Sequence, residues 1–378
     1  MQTRSFPAIF ARGGTSNGLV ILRHHLPPES EWPAVLASVM GSPDPYGRQL
    51  NGMGSGVSST SKICVISRST RPEADVDFTF VQIGVRDGSL DMAGNCGNMS
   101  AALGPISLDE GLLAQPLTVE ADPSGNFQTA LVSIFNTNTN KVIQSRFKVT
   151  GDPPRYDPAG DYAMDGVPGT QSKIVMSFIN PAGAKTGRAL PTSNPVDMLT
   201  LPDGSSIQAS LVDVSNPGVF IRVSDLRLAN PVLDPAGIES DPILKERLEH
   251  IRRAGAAMMD LDPSTQSVPK IVLVFSPSKG ELSSGMNIRC LALSMGQAHK
   301  AVPLTLALCL GSAVRIPGTI PNELAEHCDE AQDIVIGHPS GRLEVGIKMS
   351  DGTIRSVDLY RTARVLMKGG VFYYGERP

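Results

Sequence analysis

Two stretches of this chain follow one plan, and that repetition limits what it can fold into. Lys62-Ile63-Cys64-Val65-Ile66 and Lys270-Ile271-Val272-Leu273-Val274 each read as a strand that opens on a lysine. Each leads on to a glycine-led turn and then to an apolar segment suited to a helix. In the first half this stretch is Leu90 to Ala102; in the second it is Cys290 to Pro303, with Pro303 suiting the first turn of the helix. The lysine-to-glycine distance is 32 residues in the first case (62 to 94) and 26 in the second (270 to 296). A repeat of this length is a supersecondary unit, so the pattern predicts two similar α+β halves facing one another. The 37 glycines and 30 prolines among 378 residues favour short strands and turns over long helices. We place the boundary near a second glycine-rich, cationic turn, Pro181 to Arg188, giving halves 1–182 and 183–378, with the last strand free to return to the first half.

The stretch Leu90-Asp91-Met92-Ala93-Gly94-Asn95-Cys96-Gly97-Asn98-Met99-Ser100-Ala101-Ala102 follows a predicted strand, Phe78 to Arg86, closed by Asp87-Gly88. A cysteine thus stands between two glycines and two asparagines, close to the start of a helix. Helix starts carry unpaired N–H groups and a positive dipole end, which favour a thiolate or a bound carboxylate. On these residues alone, a tight turn with one buried thiol is an equally good reading.

The chain opens with a hairpin: Phe6 to Gly18 is a short strand followed by a polar, glycine-rich turn after Phe10, and Leu19 to Leu22 is a second strand; the tip offers Arg12, Thr15, Ser16 and several backbone amides. Such a tip is either a plain turn or a carboxylate site built from a guanidinium fork and hydroxyl donors. Apolar residues Trp32, Val35, Leu36, Val39 and Met40 fall at helical spacing over Glu29 to Met40. Asn51 to Gly56 resembles a nucleotide-binding loop only superficially, because Val57 stands where the last glycine of GxGxxG belongs. Ser58 to Ser61 are hydroxyls leading into a strand with Lys62 at its entrance. That lysine is either a solvated edge residue or, if partly buried, a base. Strands follow at Leu117 to Ala121, Phe127 to Phe135 and Lys141 to Val149; Asp165 to Thr170 reads as a loop, and Lys173 to Phe178 as a strand.

The formal charge of −4 and the absence of a basic run argue against a nucleic-acid surface. A protein of this charge must gather its cations locally to bind an anion. No apolar run reaches the roughly 18 residues of a membrane span, and no signal core opens the chain, so a cytoplasmic location is expected. Five cysteines without a CxxC pair suit a reducing interior, and the six histidines show no metal-ligand spacing. A homo-oligomer is left open. Two facing halves would aim two helix starts at a substrate carrying several carboxylates. The halves differ chemically: Ala298 and His299 stand where the first half has Cys96, and Cys309 lies too far along its helix to serve. A two-thiol racemase is therefore disfavoured.

Taken together, Arg12-Gly13-Gly14-Thr15-Ser16, Gly41-Ser42-Pro43-Asp44-Pro45, Thr60-Ser61-Lys62, Gly94-Asn95-Cys96-Gly97-Asn98, Lys185-Thr186-Gly187, Asn216-Pro217 and Ser294-Met295-Gly296 with His299 resemble the PrpF family, in order and over nearly the whole chain. The resemblance implies a diaminopimelate-epimerase-like α+β fold: two pseudo-symmetric halves, each a mixed sheet curled round a central helix, with the active site between them. It implies an isomerase of unsaturated polycarboxylates such as 2-methylaconitate, aconitate, methylitaconate or 4-oxalomesaconate, working without metal or organic cofactor. It places the family's active-site lysine and cysteine on Lys62 and Cys96. Two departures stand out: Asn17 where family members usually have lysine, and Leu306 where a glycine is common.

The chemistry that fits is removal of a proton from a carbon beside a C=C bond and return of a proton through a dienolate. Lys62 is assigned as the base and Cys96 as the acid or enolate donor, with the reverse assignment open. Arg12, Thr15, Ser16, Ser61, Asn95, Gly97 and Asn98 are expected to hold the polycarboxylate substrate from one half, and Lys185, His299 and Lys300 from the other. The alternative is a non-catalytic polycarboxylate-binding or dehydratase-accessory protein, motivated by Asn17 and Leu306.

Overall fold

The computed structural model describes residues 2–92, 96–122, 125–228, 234–326, 329 and 331–375. The chain forms two compact units, Met1–Ser177 with Tyr360–Pro378, and Phe178–Leu359. None of the helices among the described residues is long and apolar enough to cross a membrane.

In the first unit β1 (Gln2–Gly13) and β2 (Ser16–Leu22) form the hairpin, with Ile9 opposite Val20. After α1 (Trp32–Met40) the chain returns as β3 (Lys62–Arg68), parallel to β2, and then as β4 (Val76–Ile83), antiparallel to β3. Residues Glu29–Glu31, read from the sequence as helix, form a separate 3₁₀ turn ahead of Trp32. The short β5 (Leu90–Asp91) leads to α2 (Gly97–Asp109). Next come β6 (Thr118–Ala121), β7 (Gln128–Asn136), which runs parallel to β4, and β8 (Lys141–Thr150), antiparallel to β7.

Strands β2 and β3 are continuous apolar runs because both faces of the sheet are covered. Leu19, Ile21, Ile63, Val65, Val81 and Ile83 pack with Trp32, Val35, Leu36 and Val39 of α1. The alternate residues point to the opposite face, where α2 touches β1, β2, β3, β7 and β8. Ten of the thirteen residues of α2 are buried, so the helix lies inside the curl of a mixed sheet. Small residues permit this: a Cβ on Gly104 would stand 2.5 Å from Ser145 Oγ and 2.9 Å from the Phe147 ring.

The segment 165–170, read from the sequence as a loop, is instead part of a small hairpin. β9 (Arg155–Tyr156) pairs with β8. Then β10 (Tyr162–Met164) and β11 (Val167–Gln171) turn about Asp165-Gly166, with Gly166 at φ +83°. Pro168 is tolerated because the ladder has two strands and a free edge. β12 (Ile174–Ile179) carries the chain into the second unit.

There the order of elements repeats. β13 (Asp197–Thr200) pairs with β14 (Ser206–Val214), which forms a hairpin with β15 (Asn216–Arg222). Helices α3 (Pro235–Glu239) and α4 (Pro242–Met258) lead to β16 (Lys270–Phe275), parallel to β15. After α5 (Lys279–Ser283), β17 (Ile288–Ser294) runs antiparallel to β16, and β18 (Gln297–Ala298) folds back on it. The buried α6 (Leu304–Arg315) follows, then α7 (Ile320–Leu324). β19 (Ile334–His338) is parallel to β17, and β20 (Gly341–Ser350) is antiparallel to β19. Helix α4 covers Val219, Ile221, Ile271, Leu273, Leu291 and Leu293 as α1 covers their counterparts. The register repeats too: Gly18 stands opposite Lys62, and Gly218 opposite Lys270. β21 (Thr353–Arg361) returns the chain to the first unit, where β22 (Ala363–Gly375) lies antiparallel along β1.

Gly104→Ala should destabilise the protein. About 1 kcal/mol of helix propensity is gained, but overpacking costs roughly 1–3 kcal/mol. A urea midpoint below that of the wild type is expected, whereas Gly280→Ala, whose Cβ meets open space, should leave the midpoint unchanged or raise it.

Candidate active site

The first unit assembles its polar array where the β1–β2 turn meets the start of α2. The approach is close because the turn is glycine. A Cβ on Gly13 would lie 2.4 Å from the Asn98 carbonyl oxygen, and one on Gly14, at φ +53°, 2.1 Å from Asn98 Oδ1. Across this contact Asn98 Nδ2 donates to Thr15 Oγ1 at 3.0 Å and to Ser16 Oγ at 3.5 Å. Each hydroxyl oxygen accepts, so each keeps its own O–H proton for another acceptor. Asn98 Oδ1 in turn accepts from Arg361 Nε at 3.2 Å.

Cys96 is half-buried in extended conformation at the N-cap of α2, and no side chain among the described residues caps that helix start. Gly97 is buried in its first turn. Asn95 lies outside the described residues. Lys62 is half-buried; its Nζ donates to Gln82 Oε1 at 2.6 Å and sits 5.2 Å from the Phe80 ring centroid. Gln82 is itself fixed, its Nε2 donating to the Ser61 carbonyl at 2.9 Å. Lys62 and Cys96 share a neighbourhood: burial drives the Cys64 thiol well above its ordinary range, Cys96 adds to that rise, and Lys62 opposes it.

Two residues expected at the substrate have other commitments. Arg12 donates through Nη1 to the carbonyls of Gly14 (2.8 Å) and Thr362 (3.0 Å), and through Nη2 to Thr362 Oγ1 (3.0 Å) and Gln171 Oε1. All four terminal N–H groups are thus taken, and the guanidinium ties the turn to the segments beside it. Burial, ahead of any charge, lowers its pKa. Ser61 is fully buried; its hydroxyl donates to Gln49 Oε1 (2.7 Å) and approaches the Val57 carbonyl (2.9 Å), so it braces the loop before β3. Sequence reasoning missed Gln82 and Arg361. The first is an ordinary strand residue until register places it opposite Lys62; the second is 263 residues from Asn98.

In the second unit the loop carrying Lys185 is organised by the buried Asp213 carboxylate, whose Oδ2 accepts from the Lys185 and Thr186 amides at 2.8 Å each and from Thr186 Oγ1 at 2.9 Å. The Lys185 side chain is exposed, as is that of Lys300. His299 is half-buried, and its Nδ1 accepts from the Ala301 amide at 3.0 Å. Neutral His299 therefore carries its proton on Nε2 as a donor. Burial, with repulsion from Lys270, lowers the His299 pKa. Of the two departures, Leu306 is fully buried in α6, 3.1 Å from where a Cβ on Gly218 would be, and is a core residue. Asn17 pairs with Arg12 across the hairpin, and its buried Oδ1 has no hydrogen-bond partner among the described residues.

A family model described as PrpF protein matches residues 3–374. The chain is 35% identical to a 3-methylitaconate isomerase of Eubacterium barkeri, covering 97% of this chain and 96% of that protein. It is 35% identical to a 2-methyl-aconitate isomerase of Cupriavidus necator (98% and 97% covered) and 36% identical to a (4E)-oxalomesaconate Delta-isomerase of Novosphingobium sp. strain KA1 (97% and 97%). A crystal structure of methylitaconate-delta-isomerase superposes with a TM-score of 0.84 at 33% identity, over 99% of this chain and 96% of that one.

Lys270, the counterpart of Lys62 in register, donates to the Ser267 carbonyl at 2.7 Å, and burial lowers its pKa to about 8. An unfolded lysine holds its proton to about pH 10.4. The unfolded state thus binds more protons between these values, and stability rises with pH across that window. Below about 8 the cost of burying the charge is present in full. Lys270→Met should therefore melt higher than wild type at pH 7, with the difference shrinking towards pH 10 in parallel thermal scans.

Proposed function

The chain belongs to the PrpF family, and we propose that it is a cofactor-independent isomerase of an unsaturated di- or tricarboxylic acid of the aconitate, methylaconitate or methylitaconate type. The observation that carries this reading is the placement, within one unit, of a half-buried lysine and a half-buried thiol together with a helix start that no described side chain caps and two oriented hydroxyls. The resemblance to the family places its active-site lysine and cysteine on these two residues.

Removing a carbon-bound proton requires a base with a fixed lone pair and donors that match the charge on the developing dienolate. Lys62 Nζ takes the proton from the carbon beside the C=C bond. Gln82 fixes that nitrogen from one side. The charge spreads over the allyl unit and its carboxylate, and the amides at the start of α2 with the Thr15 and Ser16 hydroxyls supply donors to it. Cys96 returns a proton at the far end of the allyl unit or after bond rotation. Lys185, His299 and Lys300 are the second unit's candidates for further carboxylates. The non-catalytic reading rested on Asn17 and Leu306, and the core position of Leu306 removes half of that motive.

Proton NMR in D₂O with cis- and trans-aconitate, 2-methylaconitate, itaconate, methylitaconate and 4-oxalomesaconate tests the reaction class. Deuterium should enter the allylic carbon of at least one acid, and silence across the panel would favour the binding-protein alternative. Lys62→Ala should lose about 10²–10⁴-fold in exchange with an unchanged melting temperature. Cys96→Ala should still wash deuterium into the substrate while net isomerisation is lost. The reverse pattern in the two variants would exchange the acid and base assignments.

A further inference from the structure

Two arginines among the described residues are almost completely buried, and they are treated in opposite ways. Arg252, 3% exposed, grips Glu249 with Nε and Nη2 at 2.7 Å each and donates to the carbonyls of Pro263 and Thr265. That is a buried charge neutralised by a bidentate carboxylate. Arg361, 4% exposed, has no carboxylate within ion-pair distance among the described residues. Its Nε donates to Asn98 Oδ1 at 3.2 Å and its Nη1 to the Tyr360 carbonyl at 2.7 Å. Both acceptors are neutral. Of five N–H groups, three have no acceptor among the described residues.

A buried cation without a counter-charge is costly, and an anionic ligand that supplied the counter-charge would offset that cost. Burial lowers Arg361 to about 10, so it remains charged at neutral pH. Its location supplies the second observation. The stem passes over the glycine turn, with Cδ 3.1 Å from where a Cβ on Gly14 would be, and the head group bonds the side chain of the second residue of α2. Tyr162, and after it Cys96 at the helix N-cap, lie within its electrostatic reach. A guanidinium with free donors, helix amides that no described side chain caps and two hydroxyls thus lie around one helix start, a donor set suited to a planar anion.

We propose that Arg361, rather than Arg12, is the guanidinium that holds a substrate carboxylate at the start of α2. Arg12 has no terminal N–H left to offer, whereas Arg361 has a free edge. The assignment names the recognition element for the substrate class proposed above and rests on that reading, but it can be tested without turnover. Tricarballylate is a saturated tricarboxylate that carries the charges and cannot undergo allylic isomerisation.

Calorimetric titration of tricarballylate into wild-type protein, Arg361→Lys and Arg361→Gln is the test, with melting temperatures measured alongside. Binding should weaken roughly tenfold in Arg361→Lys, where the charge stays but the fork is lost, and roughly 30-fold or more in Arg361→Gln. Arg361→Lys is the variant to read if Arg361→Gln does not fold. Wild-type affinity in either folded variant overturns the assignment. So does loss of affinity in Arg12→Lys while the folded Arg361 variants bind normally. If neither Arg361 variant folds, the residue is structural and the proposal falls. Wild-type binding with the graded losses but no deuterium exchange on any unsaturated acid would leave Arg361 assigned and sink the isomerase reading alone.

Discussion

Enclosure of a thin helix by strands is the constraint on which the rest of this structure depends. A helix normally needs one polar flank; α2 has almost none, since ten of its thirteen residues are buried. It can be surrounded because Ala101, Ala102 and Gly104 keep it narrow on the sides where strands press. Its start is then brought against the β1–β2 turn, and the fit is closed by two more residues without Cβ atoms, Gly13 and Gly14. The same glycines that allow the packing allow Asn98 to reach the hydroxyls of Thr15 and Ser16. The polar array is thus a by-product of how closely the helix is enclosed.

Repetition of the scaffold in the second unit shows which parts are architecture and which are chemistry. Glycine opposite lysine at the entry of the parallel strand pair recurs, as does a buried small-residue helix: a Cβ on Gly311 of α6 would stand 2.4 Å from Val345. The residue before the helix does not recur. Cys96 occupies that place in one unit and Pro303 in the other. Proline has no N–H and no titratable group, so the second helix start is structurally equivalent and chemically inert at that atom. Lys270 keeps the position of Lys62 but turns its amine to the Ser267 carbonyl instead of a glutamine fixed on a neighbouring strand.

Elements set by short-range physics were legible in the sequence. The strand pairs, both central helices and the placement of Cys96 at a helix start follow from apolar runs, turn residues and glycine punctuation. The hairpin at Tyr162–Gln171 was hidden because its proline and glycines read as loop, and only a ladder with a free edge accommodates them. Within the site, residue type suggested what each side chain offers but not what already occupies it. Arg12 and Ser61 looked available and are bound by Thr362 and Gln49. Arg361 arrives through the return of the chain along β21, which no local pattern announces.

Two basic side chains near the start of α2 are held by neutral acceptors. Lys62 is positioned by the amide oxygen of Gln82, and Arg361 by the amide oxygen of Asn98 and the carbonyl of Tyr360. A carboxylate in any of these places would orient the cation equally well, as Glu249 does for Arg252. It would also cancel the charge and compete with an anionic ligand for the same donors. Neutral acceptors fix geometry while leaving Arg361 its positive potential, and they do not oppose the neutral amine that a base at Lys62 requires; the cost is a buried guanidinium charge that the fold must tolerate when no ligand is bound. In a chain of net charge −4, contacts of this kind keep a local positive field: among the described residues no acid is within ion-pair distance of Lys62 or Arg361, and each is oriented by a neutral oxygen.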